Sequence, residues 1–380
     1  MGLITLAMGI YLGGHPSTLP DPVRDIFVQD SDGELYDEAI DTIERDYYRK
    51  VDRDRLLDTS LDSAVDSLHD RFSTYFSPKA YAQFQESTSG QFEGVGMSVE
   101  KDSRGLRVLN VFNGSPASEA GIRKQDLILA VNGRSIAGLS SDLATSRIKG
   151  PAGTKVALEV FTPGSDDSRT VRVERERIHV PVATGRVVER DGRKIGVVKL
   201  LSFSEGAHGV LRRQVDKVLG QGAQAIVLDL RGNGGGLLNE GVAVASIFIE
   251  DGRIVSVRGR ERPERVENAQ GDAIDADIPV VVLVDGGSAS ASEIVTGALR
   301  DRHRATVVGT HTFGKGLVQE VETLSNGGYL DLTVANYYLP GGKTISKGGL
   351  KPQVKAVDDP KTNKRDEALP VALDVLAAKL

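Results

Sequence analysis

The stretch Gly286–Ile294 carries three serines that alternate with alanines, directly after the apolar run Pro279–Val284. A serine in such a loop can act as a nucleophile if a neighbouring base takes its proton. The pattern SASE at residues 290–293 also fits a capping box, with Ser290 at the N-cap of a helix and Glu293 at N3. On pattern alone the cap is favoured. The two interpretations are compatible, because a helix N-terminus favours negative charge and the next N–H can face an oxyanion.

The sequence restricts the choice of base. The absence of cysteine excludes thiolate catalysis, disulfides and cysteine-based metal sites, and none of the six histidines has a recognisable triad spacing. Lys315 lies between two glycines in the stretch Thr312–Gln319, close to apolar residues. The pKa of a free lysine is about 10.4, and burial lowers it because it disfavours the charged form. A neutral lysine can then accept a serine proton, although an isolated lysine is more often a surface residue.

A second loop with chemical potential is the glycine-rich run Arg231–Gly236. Consecutive glycines let backbone N–H groups approach a ligand without a Cβ in the way. Such groups can hold an oxyanion or a phosphate. The run lacks the Lys-Ser/Thr of a P-loop and the spacing of a dinucleotide fingerprint. An ordinary loop is equally compatible with the pattern.

Composition places the chain among soluble globular proteins. Its 380 residues allow two or three domains, and it is 39% hydrophobic and 26% charged. The formal net charge of −6 argues against a nucleic-acid partner, which requires a basic face.

The pattern of elements predicts several segments. Helical spacing of apolar residues dominates 35–90. Residues 91–176 contain short β-rich runs and an Asn-Gly hairpin signal, which predict a compact β module. Strand–helix alternation over 177–356 predicts an α/β core with a largely parallel sheet, whose functional loops follow the carboxyl ends of the strands. Residues 357–380 form a tail with a last short helix.

The first 34 residues are predicted to be an apolar and linker segment. Gly2–Gly14 carries no charge and is shorter than the roughly 18–20 residues of a membrane span. It is similar to the apolar region of an export signal without the basic start, so we expect the remnant of a signal or signal-anchor. A buried N-terminal segment is the alternative. An exported protein of the cell envelope is therefore expected.

Three motifs occur in order: LDLRGNGGG, VDGGSASASEIVTGALRDRHRA and GTHTFGKGLVQ. Together they closely resemble the carboxyl-terminal processing peptidases, or tail-specific proteases, of the S41 serine peptidase family, which are Ser–Lys proteases with an embedded PDZ domain. The resemblance covers nearly the whole chain from about residue 35. It implies an α/β multidomain fold: an α/β Ser–Lys protease core, a β-rich PDZ domain at 91–176 and an N-terminal helical segment.

The resemblance assigns the middle serine, Ser290, as the nucleophile and Lys315 as its general base, with no metal and no cofactor. It also implies supporting roles: Gln319 orients the lysine, Asp301 has a structural role, and the oxyanion donors are the N–H of Ala291 and that of Gly235 or Gly236.

The segment FEGVGMSVE at 92–100 resembles the PDZ carboxylate-binding loop. The implied peptide-binding residues are Gly94, Val95 and Gly96 in this loop, with Phe92 and Met97 near the side-chain pocket. The alternative is that Phe92 and Met97 are only core residues of the domain. A gating role for Lys149 follows from its place before GPAGT, where arginine is common in the family.

The resemblance implies an endopeptidase that cleaves proteins with exposed C-terminal tails and forms a dimer or larger homo-oligomer. We also expect the PDZ domain to gate the protease, because it interrupts the chain before the catalytic core. A regulatory adaptor is a further expected partner. Two other interpretations stay open: a PDZ scaffold that has lost catalysis, and an esterase or acyltransferase on a similar core. The second lacks the Gly-x-Ser-x-Gly elbow.

Overall fold

The computed structural model describes these residues: 31–88, 91–179, 182–260, 263–345, 348–358 and 366–380. Contacts between Cα atoms divide the chain into two compact units: one runs to Ser77 and includes Val321–Leu332, the other contains Pro78–Glu320 and Thr333–Leu380. The apolar stretch expected to be an export signal lies outside the described residues. Among the helices that are described, none is long and apolar enough to cross a membrane.

The first unit contains helices α1 (Ser31–Asp46) and α2 (Arg53–Asp66) and the short strand β1 (Thr74–Phe76). Strand β1 pairs antiparallel with residues 329–331. The buried Tyr75 donates its hydroxyl proton to Asp58 at 2.7 Å. The predicted N-terminal helical segment is confirmed.

The second unit begins with helix α3 (Pro78–Thr88) and a β-rich middle module. The module's elements are β2 (Gln91–Gly94), β3 (Met97–Asp102), β4 (Gly105–Val111), α4 (Pro116–Glu119), β5 (Leu127–Val131), β6 (Arg134–Ser135), α5 (Ser141–Ile148), β7 (Lys155–Phe161), β8 (Arg169–Glu174) and β9 (Glu176–His179). The sheet order is β3-β4-β5-β7-β8, and β2 pairs with β9. The predicted Asn-Gly hairpin is confirmed, because Asn132 and Gly133 both have positive φ, at 51° and 73°.

The α/β core follows the middle module. Its elements are β10 (Ala183–Arg190), β11 (Arg193–Leu200), α6 (Ala207–Gly220), β12 (Ala225–Asp229), α7 (Leu238–Ser246), β13 (Arg253–Gly259), β14 (Arg265–Asn268), β15 (Val280–Val284), α8 (Ala291–Asp301), β16 (Ala305–Gly309), β17 (Leu317–Thr323), β18 (Tyr329–Tyr338), β19 (Val354–Lys355) and α9 (Ala368–Ala377). The main sheet has the order β10-β11-β12-β15-β16-β19, and its pairs from β11 onward are parallel. The domain boundaries read from the sequence stay a prediction.

Strand β13 departs from the predicted strand–helix alternation. It pairs antiparallel with β14 and with the second half of β18, outside the parallel sheet. The physical reason is the short connection: a parallel neighbour requires a crossover of a dozen or more residues, whereas β14 begins six residues after β13 ends.

The main sheet is covered on both faces. Alternate residues of each strand face opposite sides, so Ile226 and Leu228 of β12 pack in the cluster with α6–α8, while Ala225 and Val227 pack with α9. Burial on both faces explains the unbroken apolar runs of these strands. Polar loops are therefore confined to the strand ends.

Candidate active site

Three loops follow the carboxyl ends of neighbouring parallel strands. The glycine-rich loop (residues 231–236) follows β12, the serine loop (285–290) follows β15, and the lysine loop (310–316) follows β16. In an open α/β sheet this edge is where ligands bind.

The structure distinguishes the three serines. Ser288 and Ser292 are both fully buried. The Ser288 hydroxyl donates to the carbonyl of Leu230 at 2.8 Å, and the Ser292 hydroxyl donates to the carbonyl of Asn233 at 2.8 Å. Hydrogen bonds from these two hydroxyls therefore link the chain around the serine loop to the chain around the glycine-rich loop. Ser290, between them, is only half-buried.

Ser290 has a strained backbone, with φ 53° and ψ −114°. This region is normally left to glycine, and a non-glycine residue there costs about 1–3 kcal/mol. Such strain persists where the surrounding structure enforces it, and it concentrates at functional sites. The conformation also differs from the extended backbone of an ordinary N-cap.

Glu293 joins the serine loop to the lysine loop. The Glu293 half of the predicted capping box is present, with the Ser290 N–H donating to Glu293 Oε2 at 3.0 Å. The same oxygen accepts the Lys315 N–H at 2.8 Å. Glu293 Oε1 accepts the Gly314 N–H at 2.8 Å and the Thr312 hydroxyl. One fully buried carboxylate thus positions the main chains of both Ser290 and Lys315.

The sequence pattern identified Glu293 only as part of a cap and missed its contacts with the lysine loop. The sequence does contain one signal for these contacts, because Glu293 is an acidic residue in an otherwise apolar helix face. A carboxylate is seldom fully buried unless it is paired or hydrogen-bonded.

The lysine loop is fixed on several sides. Thr312 is buried, and its hydroxyl accepts the Leu350 N–H at 2.7 Å. The Phe313 N–H donates to the carbonyl of Ser288 at 3.0 Å. Gly314 has φ 90°, a conformation that favours glycine. The side chain of Lys315 is half-buried. Strand β17 begins directly after the loop, at Leu317.

Gln319, the predicted orienter of Lys315, lies on β17. Its amide donates to the Thr333 hydroxyl at 3.2 Å. Asp301, at the end of α8, accepts the Gly341 N–H at 3.0 Å and hydrogen-bonds the Arg300 guanidinium. These contacts fix the turn after β18, which agrees with a structural role for Asp301.

The glycine-rich loop is organised by the fully buried Asn233. Its side-chain amide donates to the carbonyl of Leu200 at 3.0 Å, and its side-chain oxygen accepts the Gly235 N–H at 2.9 Å. The Gly235 N–H is therefore already engaged. Within the described residues, the N–H groups of Gly236 and Ala291 have no hydrogen-bond acceptor. Of the two glycines considered as oxyanion donors, Gly236 is the one with an available N–H.

We expect Gly235→Ala to lower kcat by up to about a hundredfold, because the added Cβ would displace the glycine-rich loop from Ser290. A Cβ at residue 235 would lie 2.7 Å from the Ala289 carbonyl, 2.9 Å from Ser290 Cβ and 3.1 Å from the Ala291 nitrogen. The φ of Gly235, 98°, adds strain. Peptide-cleavage kinetics measure the effect. The control is Gly234→Ala, where a Cβ meets nothing within 4 Å. Similar kcat for both variants would contradict this account.

Arg231 precedes the glycine-rich loop and bonds three carboxylates. Its shortest contacts are 2.7 Å to Asp229, 2.9 Å to Asp358 and 2.7 Å to Asp366. Burial opposes the charge of Arg231, but hydrogen bonds to Asp229 and Asp366 outweigh it, so its pKa is raised above the ordinary value. The Arg231 guanidinium in turn holds the pKa of the Asp366 carboxyl below its usual range.

The predicted peptide-binding residues of the middle module line one groove. Its walls are Phe92, Gly94, Val95, Gly96, Met97, Val99, Thr145, Ile148 and Lys149. The carbonyls of Val95 and Gly96 accept N–H groups at 2.8 and 3.0 Å, which turns them away from solvent. The ammonium of Lys149 lies 5.6 Å from the centroid of the Phe92 ring. The groove therefore combines an apolar wall with the positive charge of Lys149, close to the Gly94–Gly96 loop.

Comparisons with known proteins match two regions of the chain. The model of peptidase family S41 matches residues 194–356, and the PDZ domain model matches residues 83–161. The carboxy-terminal processing protease CtpA of Bacillus subtilis (strain 168) is 34% identical over 355 residues, which are 93% of this chain and 75% of that protein.

Two further matches are similar in extent. A probable CtpA-like serine protease of Staphylococcus aureus (strain COL) is 38% identical over 83% of this chain, which spans 63% of that protein. Among solved structures, the photosystem II D1 C-terminal processing protease superposes with a TM-score of 0.53 and 30% identity, covering 93% of this chain and 100% of that one.

Proposed function

Because the chain belongs to peptidase family S41 and contains a PDZ domain, we propose that it is a serine endopeptidase that cleaves protein substrates at or near their C-termini. One observation carries the chemistry: Glu293 Oε2 accepts the N–H groups of both Ser290 and Lys315. This shared contact supports a Ser–Lys pair across the serine and lysine loops.

In the proposed mechanism Ser290 attacks the scissile carbonyl while the neutral amine of Lys315 takes its proton. The new Oγ–C bond forms as the carbonyl electron pair moves to oxygen. Lys315 then protonates the leaving nitrogen when the C–N bond breaks, which leaves an acyl-enzyme. Water hydrolyses the ester with Lys315 again relaying the proton. Gln319 is proposed to orient the lysine side chain.

The negative oxygen of the tetrahedral intermediate needs donors positioned in advance. We assign this role to the N–H of Ala291 and that of Gly236. Both lack an acceptor among the described residues, and Ala291 is the first residue of helix α8, whose dipole favours negative charge.

The PDZ domain is proposed to select the substrate's C-terminus. The terminal carboxylate would bind the N–H groups of the Gly94–Gly96 loop while the peptide adds a strand beside it. The Phe92 and Met97 side chains would contact the last side chain of the substrate.

We also propose that the PDZ domain gates the protease, with Lys149 as part of the gate. Deleting residues 91–176 should then change cleavage of tailed substrates, and unaltered turnover would contradict the gating.

Cleavage of matched peptides tests this proposal. One peptide has an apolar C-terminal residue with a free carboxylate, and its pair ends in a carboxamide. We expect the wild-type chain to cleave the first peptide with a several-fold higher kcat/KM, because the amide removes the charge that the N–H loop would bind. Equal rates would contradict C-terminal selection, and no cleavage of any peptide would contradict the peptidase itself.

Assembly and location are proposals as well. Helix α1 leaves Tyr36 and Ile43 largely exposed at helical spacing, which supports a homo-oligomer, dimeric or larger. A regulatory adaptor remains a proposed partner. The apolar stretch Gly2–Gly14 supports export to the cell envelope.

A further inference from the structure

The C-terminal segment meets the glycine-rich loop at one side chain, Arg231. The guanidinium is only 12% exposed. Asp229 comes from the end of β12, whereas Asp358 and Asp366 come from the segment that leads into α9. Asp366 binds the guanidinium in bidentate fashion, with contacts of 2.7 and 2.9 Å. Such planar pairs fix geometry as well as charge.

The same two acids also hold the start of α9. Asp358 Oδ1 accepts the N–H groups of Glu367 and Ala368 at 2.9 Å each, and Asp366 Oδ1 accepts the N–H of Leu369 at 3.0 Å. These bonds satisfy N–H groups that a helix start leaves without partners. Each acid therefore connects the helix to Arg231 with one carboxylate.

Helix α9 itself is firmly packed. Ala372, Leu373 and Leu376 are buried against the face of the main sheet that includes Val227. The helix therefore gives Arg231 a rigid support.

Arg231 connects helix α9 to the glycine-rich loop. Its own N–H donates to Asp229 Oδ1 at 3.1 Å, and the next residue, Gly232, donates its N–H to Asp285 Oδ1 at 2.9 Å. Asn233, one residue further, positions Gly235. A movement of Arg231 would thus be transmitted along the chain that presents the Gly236 N–H.

We propose that Asp366 and Asp358 are positioning residues of the active site, which act through Arg231 to hold the glycine-rich loop in the geometry that oxyanion stabilisation needs. The inference rests on the proposed function for its effect on catalysis. Its effect on the loop does not depend on that function.

Asp366→Asn in the full chain tests the proposal. The change keeps the shape of the side chain but removes its charge and one acceptor, so the bidentate pair is lost. We expect amides of the peptide covering 231–237 to exchange with deuterium at least about tenfold faster, because local opening becomes easier. We expect kcat to fall about tenfold with little change in KM, since small misplacements of catalytic groups have effects of up to a hundredfold. Asp366→Glu keeps the charge, so its loop exchange and its kcat should both lie closer to those of the wild type.

Asp374→Asn is the matched control. Asp374 lies on the same helix and pairs with Arg190 at 2.7 Å, away from the glycine-rich loop. It should leave loop exchange and kcat within about twofold of wild type, as expected for an exposed ion pair. Unchanged loop exchange in Asp366→Asn, or equal exchange in both variants, would overturn the proposal. Because exchange is read without substrate, an inactive wild type would count against the proposed function alone.

Discussion

Replacing Ser290 with alanine should abolish peptide cleavage, with a fall in kcat of at least about four orders of magnitude, as for other serine nucleophiles. Lys315→Ala should produce a similar loss, because the hydroxyl would lose the base that takes its proton. Residues that act as one unit have non-additive effects, so the double variant should be no worse than either single one. Cleavage of an unfolded protein, followed over time, measures all three.

The flanking serines provide the controls. Ser288→Ala and Ser292→Ala remove hydroxyls that donate to loop carbonyls, at 2.8 Å in each case. Each should lower the free energy of unfolding by about 1–3 kcal/mol, since buried polar groups lose a partner. Both should keep far more activity than Ser290→Ala, because neither hydroxyl takes part in the proposed proton transfer. Retained cleavage in Ser290→Ala would contradict the assignment, and an inactive wild type would revive the PDZ scaffold that has lost catalysis.

Glu293→Gln should lower both the free energy of unfolding and kcat. The carboxylate accepts four donors: the N–H groups of Ser290, Gly314 and Lys315 and the hydroxyl of Thr312. Glutamine replaces one acceptor oxygen with an NH₂ group, which would face N–H donors. Each buried donor left without a partner costs about 1–3 kcal/mol. We expect a loss of several kcal/mol in unfolding free energy and, because the two loops would separate, a roughly hundredfold lower kcat.

Glu240→Gln separates the two effects. Glu240 is also buried, and among the described residues its hydrogen bonds run to the N–H of Gly206 and to the N–H and ring of His208, at 2.8 Å each. It should cost comparable stability, measured by urea unfolding, while leaving kcat within about tenfold of wild type, the scale of a small indirect displacement. An equal fall in kcat in both variants would contradict the specific role of Glu293.

Much of the fold follows from local sequence signals. The apolar run at β15, the serine-to-glutamate spacing and the Asn-Gly turn each depend on neighbours within a few residues. The place of strand β13 could not be read in this way, because one of its two partners, the second half of β18, lies far away in the sequence.

In the candidate site, too, local features could be predicted from the sequence and contacts between distant residues could not. Motifs identify Ser290 and Lys315, and the local pattern gives Glu293 its cap. The bond from Glu293 to the lysine loop spans 22 residues and the ion pair from Arg231 to Asp366 spans 135, so both depend on how the strands order in the sheet. The strain at Ser290 is equally invisible in the sequence, since it is enforced by these distant contacts.

The proposed mechanism requires Ser290 as the nucleophile and Lys315 as its base. Labelling of the full chain with a fluorophosphonate, followed by mass spectrometry of its peptides, distinguishes the three serines. We expect a single adduct on Ser290, with labelling strongly slowed in Lys315→Ala and unaffected in position by Ser288→Ala or Ser292→Ala. An adduct on Ser288 or Ser292, or labelling of Ser290 at the wild-type rate without Lys315, would contradict this mechanism.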